Sequence, residues 1–165
     1  DALPISGQAR AANGATGADG APAPAPLDVP AELGVLLLRV GVSVFMLHNG
    51  LDKLQDPEGF AKFVVAEHLS FLPEPLLWTY AAAAAELVCP VALALGVFAR
   101  PAAFALFSTM GLAVAFHIHD SGLEGFPLAV VEAHQYGFET AGLYALAFLY
   151  FVCAGPGRFS ISGGK

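Results

Sequence analysis

Charged residues are scarce in this sequence. They make up only 13% of its 165 residues, against roughly 25% in ordinary soluble domains, while 56% of the residues are hydrophobic. The mean hydropathy is +0.65. A formal net charge of −7 also argues against nucleic acid as a partner, because such partners select basic surfaces. The composition therefore excludes an ordinary soluble domain and predicts an integral membrane protein in contact with a lipid bilayer.

Cysteine and the common catalytic motifs are also rare or absent. Cys89 and Cys153 are the two cysteines, both in apolar stretches, and no CxxC spacing exists. Neither a disulfide framework nor a zinc ribbon is indicated. The sequence contains no phosphate-binding glycine loop, nucleophile elbow, HExxH motif or dinucleotide fingerprint. It therefore predicts no catalytic residue and no metal site of these known kinds.

Long apolar runs dominate the rest of the chain. A helix of about 20 residues crosses a hydrocarbon core of about 30 Å. Four runs have this length, and we predict an all-α fold, a bundle of four transmembrane helices within residues 31–158. The predicted spans are residues 31–51, 76–99, 101–118 and 136–154.

Residues 1–30 differ from the bundle in composition. They are rich in Ala, Gly and Pro and end in an alternating Ala-Pro run at 21–26. Such a segment buries too little apolar surface to fold alone, so we expect an extended or disordered tail. Residues 159–165 form a short C-terminal tail. The long N-terminal tail is what we expect of a subunit that extends across a larger assembly, and it favours an organellar membrane over a bacterial one.

Four alternating helices divide the chain between two sides of a membrane. Side A carries the N-terminal tail, the turn at 96–101 and the C-terminus, and side B carries the connections 52–75 and 120–135. Side A has four basic and four acidic residues, whereas side B has two lysines against eight acids. The positive-inside rule predicts that side A, with both termini, faces the cytoplasm, the stroma or the matrix.

Two opposite charges lie inside the predicted spans. Arg39 falls in the first span and Glu86 in the second. Charged residues within a membrane usually face the bundle interior and pair with each other. Counted from side A, the two α-carbons differ in depth by about 6 Å, which a long arginine side chain can cover. We predict an intramembrane ion pair, and a role in fixing helix register is favoured over catalysis.

The histidines gather toward side B. His48 ends the first span, His117 ends the third, and His134 precedes the fourth, in which Glu139 lies one turn inside. These four residues are a candidate quinone or pigment site. Imidazoles and a carboxylate can hold a quinone head group, relay protons, bind a metal, or ligate haem or chlorophyll through a histidine. The residues alone leave these alternatives open.

The order of several motifs resembles the DoxX-like family of small four-helix membrane proteins. The resemblance covers roughly residues 33–162, and its carried-over positions are Arg39, Gly41, Lys53, Glu86 and Gly96. The motifs themselves are Leu38-Arg39-Val40-Gly41 with Phe45, Gly50, Lys53 and Leu54, then Glu86 with Leu95-Gly96 and Arg100-Pro101, then Gly155-Pro156-Gly157-Arg158-Phe159-Ser160. Family members usually continue after this serine with Leu-Asp, whereas this chain has Ile161-Ser162.

The resemblance implies a function in quinone-linked electron transport. It favours an accessory, non-catalytic subunit of a larger respiratory or photosynthetic complex, which packs against other membrane subunits and coordinates a pigment or a quinone. The alternative is a quinone-linked oxidoreductase subunit with its own quinone site. A third class, a small transporter that uses Arg39 and Glu86, lacks the internal inverted repeat usual in such folds.

Overall fold

The computed structural model describes residues 27–131 and 135–163. Within these ranges the fold is helical and contains no strand. Most of the predicted N-terminal tail, His134 and the last two residues of the C-terminal tail lie outside the described residues. The elements are α1 (Val29–Gln55), α2 (Pro57–Phe60), a π-helix (Ala61–Ala66), α3 (Pro75–Leu95), α4 (Ala99–Ser121) and α5 (Glu139–Ala154).

Three helices are long and apolar enough to cross a membrane, among those the structure describes. They are α1, α3 and α4, and α5 is an apolar helix of 16 residues. The first three predicted spans thus coincide with helices, although α3 stops at Leu95 instead of 99. It stops there because Gly96 has φ +72°, the left-handed conformation that commonly ends a helix.

The outer surface of the bundle is apolar. Leu37, Phe45, Val88 and Leu146 are large hydrophobic side chains, and each is 65% or 66% exposed. Soluble monomers rarely expose contiguous apolar patches larger than a few hundred Å². An exterior of this kind is suited to lipid, in agreement with the predicted membrane location.

The helices pack in the order α1, α3, α4, α5. The helix α3 lies between α1 and α4, α5 packs against α4, and α1 and α5 make little contact. The buried core between them is built from large apolar side chains that are fully excluded from solvent, namely Met46, Leu93, Leu106, Phe148 and Phe151.

Glycine sets the register between α1 and α3. A Cβ atom on the buried Gly50 would lie 2.7 Å from Cγ of Leu87 and 3.0 Å from the carbonyl oxygen of Ala83, so a side chain here would push the two helices apart. Nearer side A, a Cβ on Gly96 would lie 3.1 Å from Nη1 of Arg39. These two contacts define one antiparallel register, in which Arg39 is level with the end of α3. The residues of α1 that are level with Glu86 are then Leu47 and His48.

The chain after α5 returns across side A as a strap, residues 155–162. The backbone N–H of Arg158 donates to the carboxylate of Glu32 at 2.6 Å. Ile161 N–H donates to the carbonyl of Leu95 at 3.1 Å. The strap therefore ties the start of α1 to the end of α3.

Candidate ligand-binding cavity

A cavity of about 590 Å³ opens in the side-B half of the bundle. Its walls come from α1, α3, α4, α5 and the lid segment, defined as residues 56–72, which contains α2 and the π-helix. This volume falls within the range of pockets that hold small organic ligands. Most of the lining is apolar or aromatic, including Phe60, Val64, Leu69, Leu72, Trp78, Leu112, Ala113 and Phe116.

A salt bridge forms the polar part of the cavity wall. Lys53 Nζ lies 2.6 Å from Oε2 of Glu86, and the side-chain exposures are 13% and 1%. The same ammonium lies 3.5 Å from the carbonyl oxygen of Asn49 and 5.0 Å from the ring centroid of Phe60. Carboxylate, carbonyl and aromatic ring together hold the lysine head at a defined place beside the cavity.

This pairing corrects the predicted ion pair between Arg39 and Glu86. The guanidinium of Arg39 is buried near side A, where it donates to the carbonyls of Pro156 and Phe159 in the strap. The prediction treated the ends of the first two spans as level. In the structure α1 extends past the end of α3, which separates Arg39 from the level of Glu86 by about eight or nine residues, or roughly 13 Å of helix.

Two of the four predicted site residues line the cavity. His48 lines the cavity from α1, about two turns before the end of that helix, and its Nδ1 is 2.6 Å from the carbonyl oxygen of Phe45. A carbonyl only accepts, so Nδ1 is the donor in this contact, and in the neutral imidazole Nε2 is an acceptor. His117 lines the cavity from α4, with its ring 5.1 Å from that of Phe116 in an edge-on contact.

The other two predicted residues have different positions. Glu139 is exposed at the start of α5, is not among the cavity-lining residues, and accepts a hydrogen bond from the backbone of Tyr136 at 3.1 Å. The residues of α5 that do line the cavity are Thr140, Ala141 and Tyr144. His134 lies outside the described residues.

Several lining residues were not predicted from the sequence. His68 comes from the lid segment, Trp78 from the first turn of α3, and Tyr144 from α5. Lys53 was singled out only by the family resemblance. Its helical spacing gave a second signal, because Lys53 lies one turn beyond Asn49 on the helix face that meets α3.

The two glycines of the family motif differ in what surrounds them. Position 96 requires a glycine, because its φ is +72° and a Cβ atom there would lie 3.0 Å from the α-carbon of Ser160. A Cβ on Gly41 would meet nothing within 4 Å. Gly96 therefore allows the strap to pack closely against the end of α3 on side A. No packing contact explains a glycine at position 41.

The cavity can hold an amphipathic organic molecule with a polar head. The lysine ammonium has three N–H donors, of which one is directed at Glu86 and one at the carbonyl of Asn49, so one donor remains for a carbonyl-type acceptor. The Glu86 carboxylate and Nε2 of His48 can accept hydrogen bonds. Within the described ranges, no group of three or more His, Cys, Asp or Glu side chains has a spacing that could hold a metal ion.

Comparison with known proteins places these residues in a family. The DoxX family model matches residues 34–120, more than half of the chain, and the match includes Arg39, Lys53 and Glu86. An uncharacterized protein of Haemophilus influenzae is 42% identical over 77 residues, which covers 46% of this chain and 53% of the relative. The chain thus spans about half the length of that relative. No solved structure matches the chain. The described residues include three helices of membrane-spanning length, and with this family match the chain is a membrane protein that belongs to the DoxX family.

Proposed function

We propose that this chain is an accessory subunit of a membrane electron-transport complex and that it binds a quinone in the side-B cavity. The observation that carries the proposal is the Lys53–Glu86 pair at the wall of an otherwise apolar cavity. The resemblance to proteins of quinone-linked systems supports the same ligand class. Binding positions the quinone, and a partner subunit exchanges electrons with it.

A quinone head fits the chemistry of this wall. Its ring is flat and apolar, which suits contact with Phe60 and Trp78, and its two carbonyl oxygens are acceptors only. Lys53 supplies a charged N–H donor for one of these oxygens. In the reduced form the ring carries hydroxyl donors, for which Glu86 and Nε2 of His48 are acceptors. The site can therefore bind both redox states.

The membrane arrangement that we propose has four spanning helices and both termini on side A. Three observations support it: α5 is apolar, it packs against α4, and its C-terminal strap meets the start of α1. The charge distribution supports a cytoplasmic, stromal or matrix location for side A. We further propose residues 31–158 as one membrane domain, other membrane subunits as partners, and an organellar membrane as the location.

Trp78 provides a direct test of quinone binding, because it is the single tryptophan of the chain and lines the cavity. Decylubiquinone added to the purified full chain in detergent should quench its fluorescence in a saturable way. Lys53→Met should weaken binding about 10-fold or more, since a hydrogen bond to a charged donor is worth about 1.5–3 kcal/mol. The double variant Lys53→Met/Glu86→Gln, which leaves no unpaired charge, should bind equally weakly.

The matched control is Lys62→Met. Lys62 also lies in the lid region, but its ammonium is 5.0 Å from the Phe63 ring centroid and it does not line the cavity. This variant should bind decylubiquinone like the wild type. Quenching that does not saturate, or that is the same in Lys53→Met and Lys62→Met, contradicts the proposed site.

A further inference from the structure

Two histidines meet where the lid segment touches α4. His68 follows the π-helix in the lid, and His119 lies in the last turn of α4. Their Nδ1 atoms are 3.3 Å apart, although 51 positions separate the two residues in sequence. The ring of Phe116 packs edge-on against His68 at 4.7 Å, which orients the imidazole.

The geometry of this pair matches that of two ligands on one metal ion. Two imidazole nitrogens, each about 2.05 Å from a tetrahedral Zn²⁺, are about 3.3 Å apart. The same ion would place the ring centroids about 5.2 Å apart, and an N–H···N hydrogen bond between the two imidazoles is the arrangement without the ion. The observed centroid separation is 5.2 Å, with an angle of 79° between the ring planes.

We propose that His68 and His119 bind a divalent ion of the zinc type through their Nδ1 atoms. Within the described residues no third His, Cys, Asp or Glu joins them, so water completes the coordination. The ion would link the lid segment to the end of α4, beside the cavity that His68 also lines. This site is separate from the Lys53–Glu86 pair, and the proposal does not depend on whether the cavity binds a quinone.

Zinc titration of the purified full chain tests the site. Isothermal calorimetry with Zn²⁺ alone should show binding to the wild type, and His68→Gln and His119→Gln should each lower the affinity at least 10-fold. His117→Gln is the matched control, because His117 is two residues from His119 and is not part of the pair; it should retain binding. Lower pH should weaken binding, because an imidazole must be neutral to ligate a metal.

A second variant keeps the test decisive if His119→Gln folds poorly. His119→Cys supplies a thiolate, which is also a zinc ligand, and should restore binding. With Co²⁺ it should show a thiolate-to-cobalt charge-transfer band that the wild type lacks. The proposal is overturned if the wild type binds no Zn²⁺, if His119→Gln binds as tightly as the wild type, or if His119→Cys shows no such band.

Discussion

Replacement of Lys53 alone should lower the free energy of unfolding by about 3 kcal/mol or more, the cost of leaving one partner of a buried ion pair unpaired. Lys53→Met leaves the carboxylate of Glu86, which is 1% exposed, without its cation. Glu86→Gln should cost somewhat less, because the lysine side chain borders the cavity and can reach toward water. The double variant should be less damaging than the sum of the two, because no unpaired charge remains.

Unfolding of the purified protein by SDS in mixed micelles measures these free energies. The coupling between Lys53 and Glu86 is obtained from the four corners of a double-mutant cycle. A second cycle with Arg39→Leu and Glu86→Gln is the control, and its effects should add, because these side chains bind different partners. Strong coupling of Glu86 to Arg39, with none to Lys53, contradicts the observed register of α1 and α3.

Replacement of Arg39 should release the C-terminal strap from side A. The buried guanidinium donates to the carbonyls of Pro156 and Phe159, and hydrogen bonds of charged donors contribute about 1.5–3 kcal/mol each. We expect Arg39→Leu to lower the free energy of unfolding by about 3 kcal/mol or more. Trypsin should also cleave faster after Arg158, because the strap must leave the bundle to enter the protease.

Two variants separate the shape of the arginine from its charge and its location. Arg39→Lys keeps the charge but loses the two-pronged donor, so it should recover only part of the stability. Arg100→Leu removes an exposed arginine whose guanidinium lies beside Gly155, the first residue of the strap, and it should have a smaller effect than Arg39→Leu. Slow cleavage at Arg158 in Arg39→Leu, equal to that of the wild type, would show that Arg39 does not hold the strap.

Sequence patterns predicted the positions of the helices in the chain better than the shift of each helix along its axis relative to its neighbours. Long apolar runs identify α1, α3 and α4 because membrane thickness imposes a length that can be counted. The end of α3 was placed four residues too late, since an apolar run continues past Gly96 although its positive φ ends the helix. Membrane thickness imposes no such rule on how far one helix is shifted along its axis relative to the next. This shift depends on which small residues touch, such as Gly50 against Ala83, and these contacts are visible only in three dimensions.

In the candidate site, too, the sequence indicated some positions, whereas others depend on contacts that are visible only in three dimensions. Of the histidines that cluster toward side B in the sequence, His48 and His117 line the cavity. Glu139 was grouped with them by depth, but its carboxylate caps the turn before α5 instead. Trp78 and Tyr144 carry no sequence signal, because aromatic residues are common in membrane helices as interfacial anchors and packing elements.

Photolabelling tests the central claim, that a quinone head lies against Lys53 and Glu86, most directly. The full chain in lipid vesicles would be irradiated with an azidoquinone, and the labelled peptides identified by mass spectrometry. We expect label in residues 48–65 and 78–86, suppressed both by excess decylubiquinone and by Lys53→Met. Label spread over lipid-facing residues such as Phe104 and Leu146, and unaffected by competitor, would contradict the assignment.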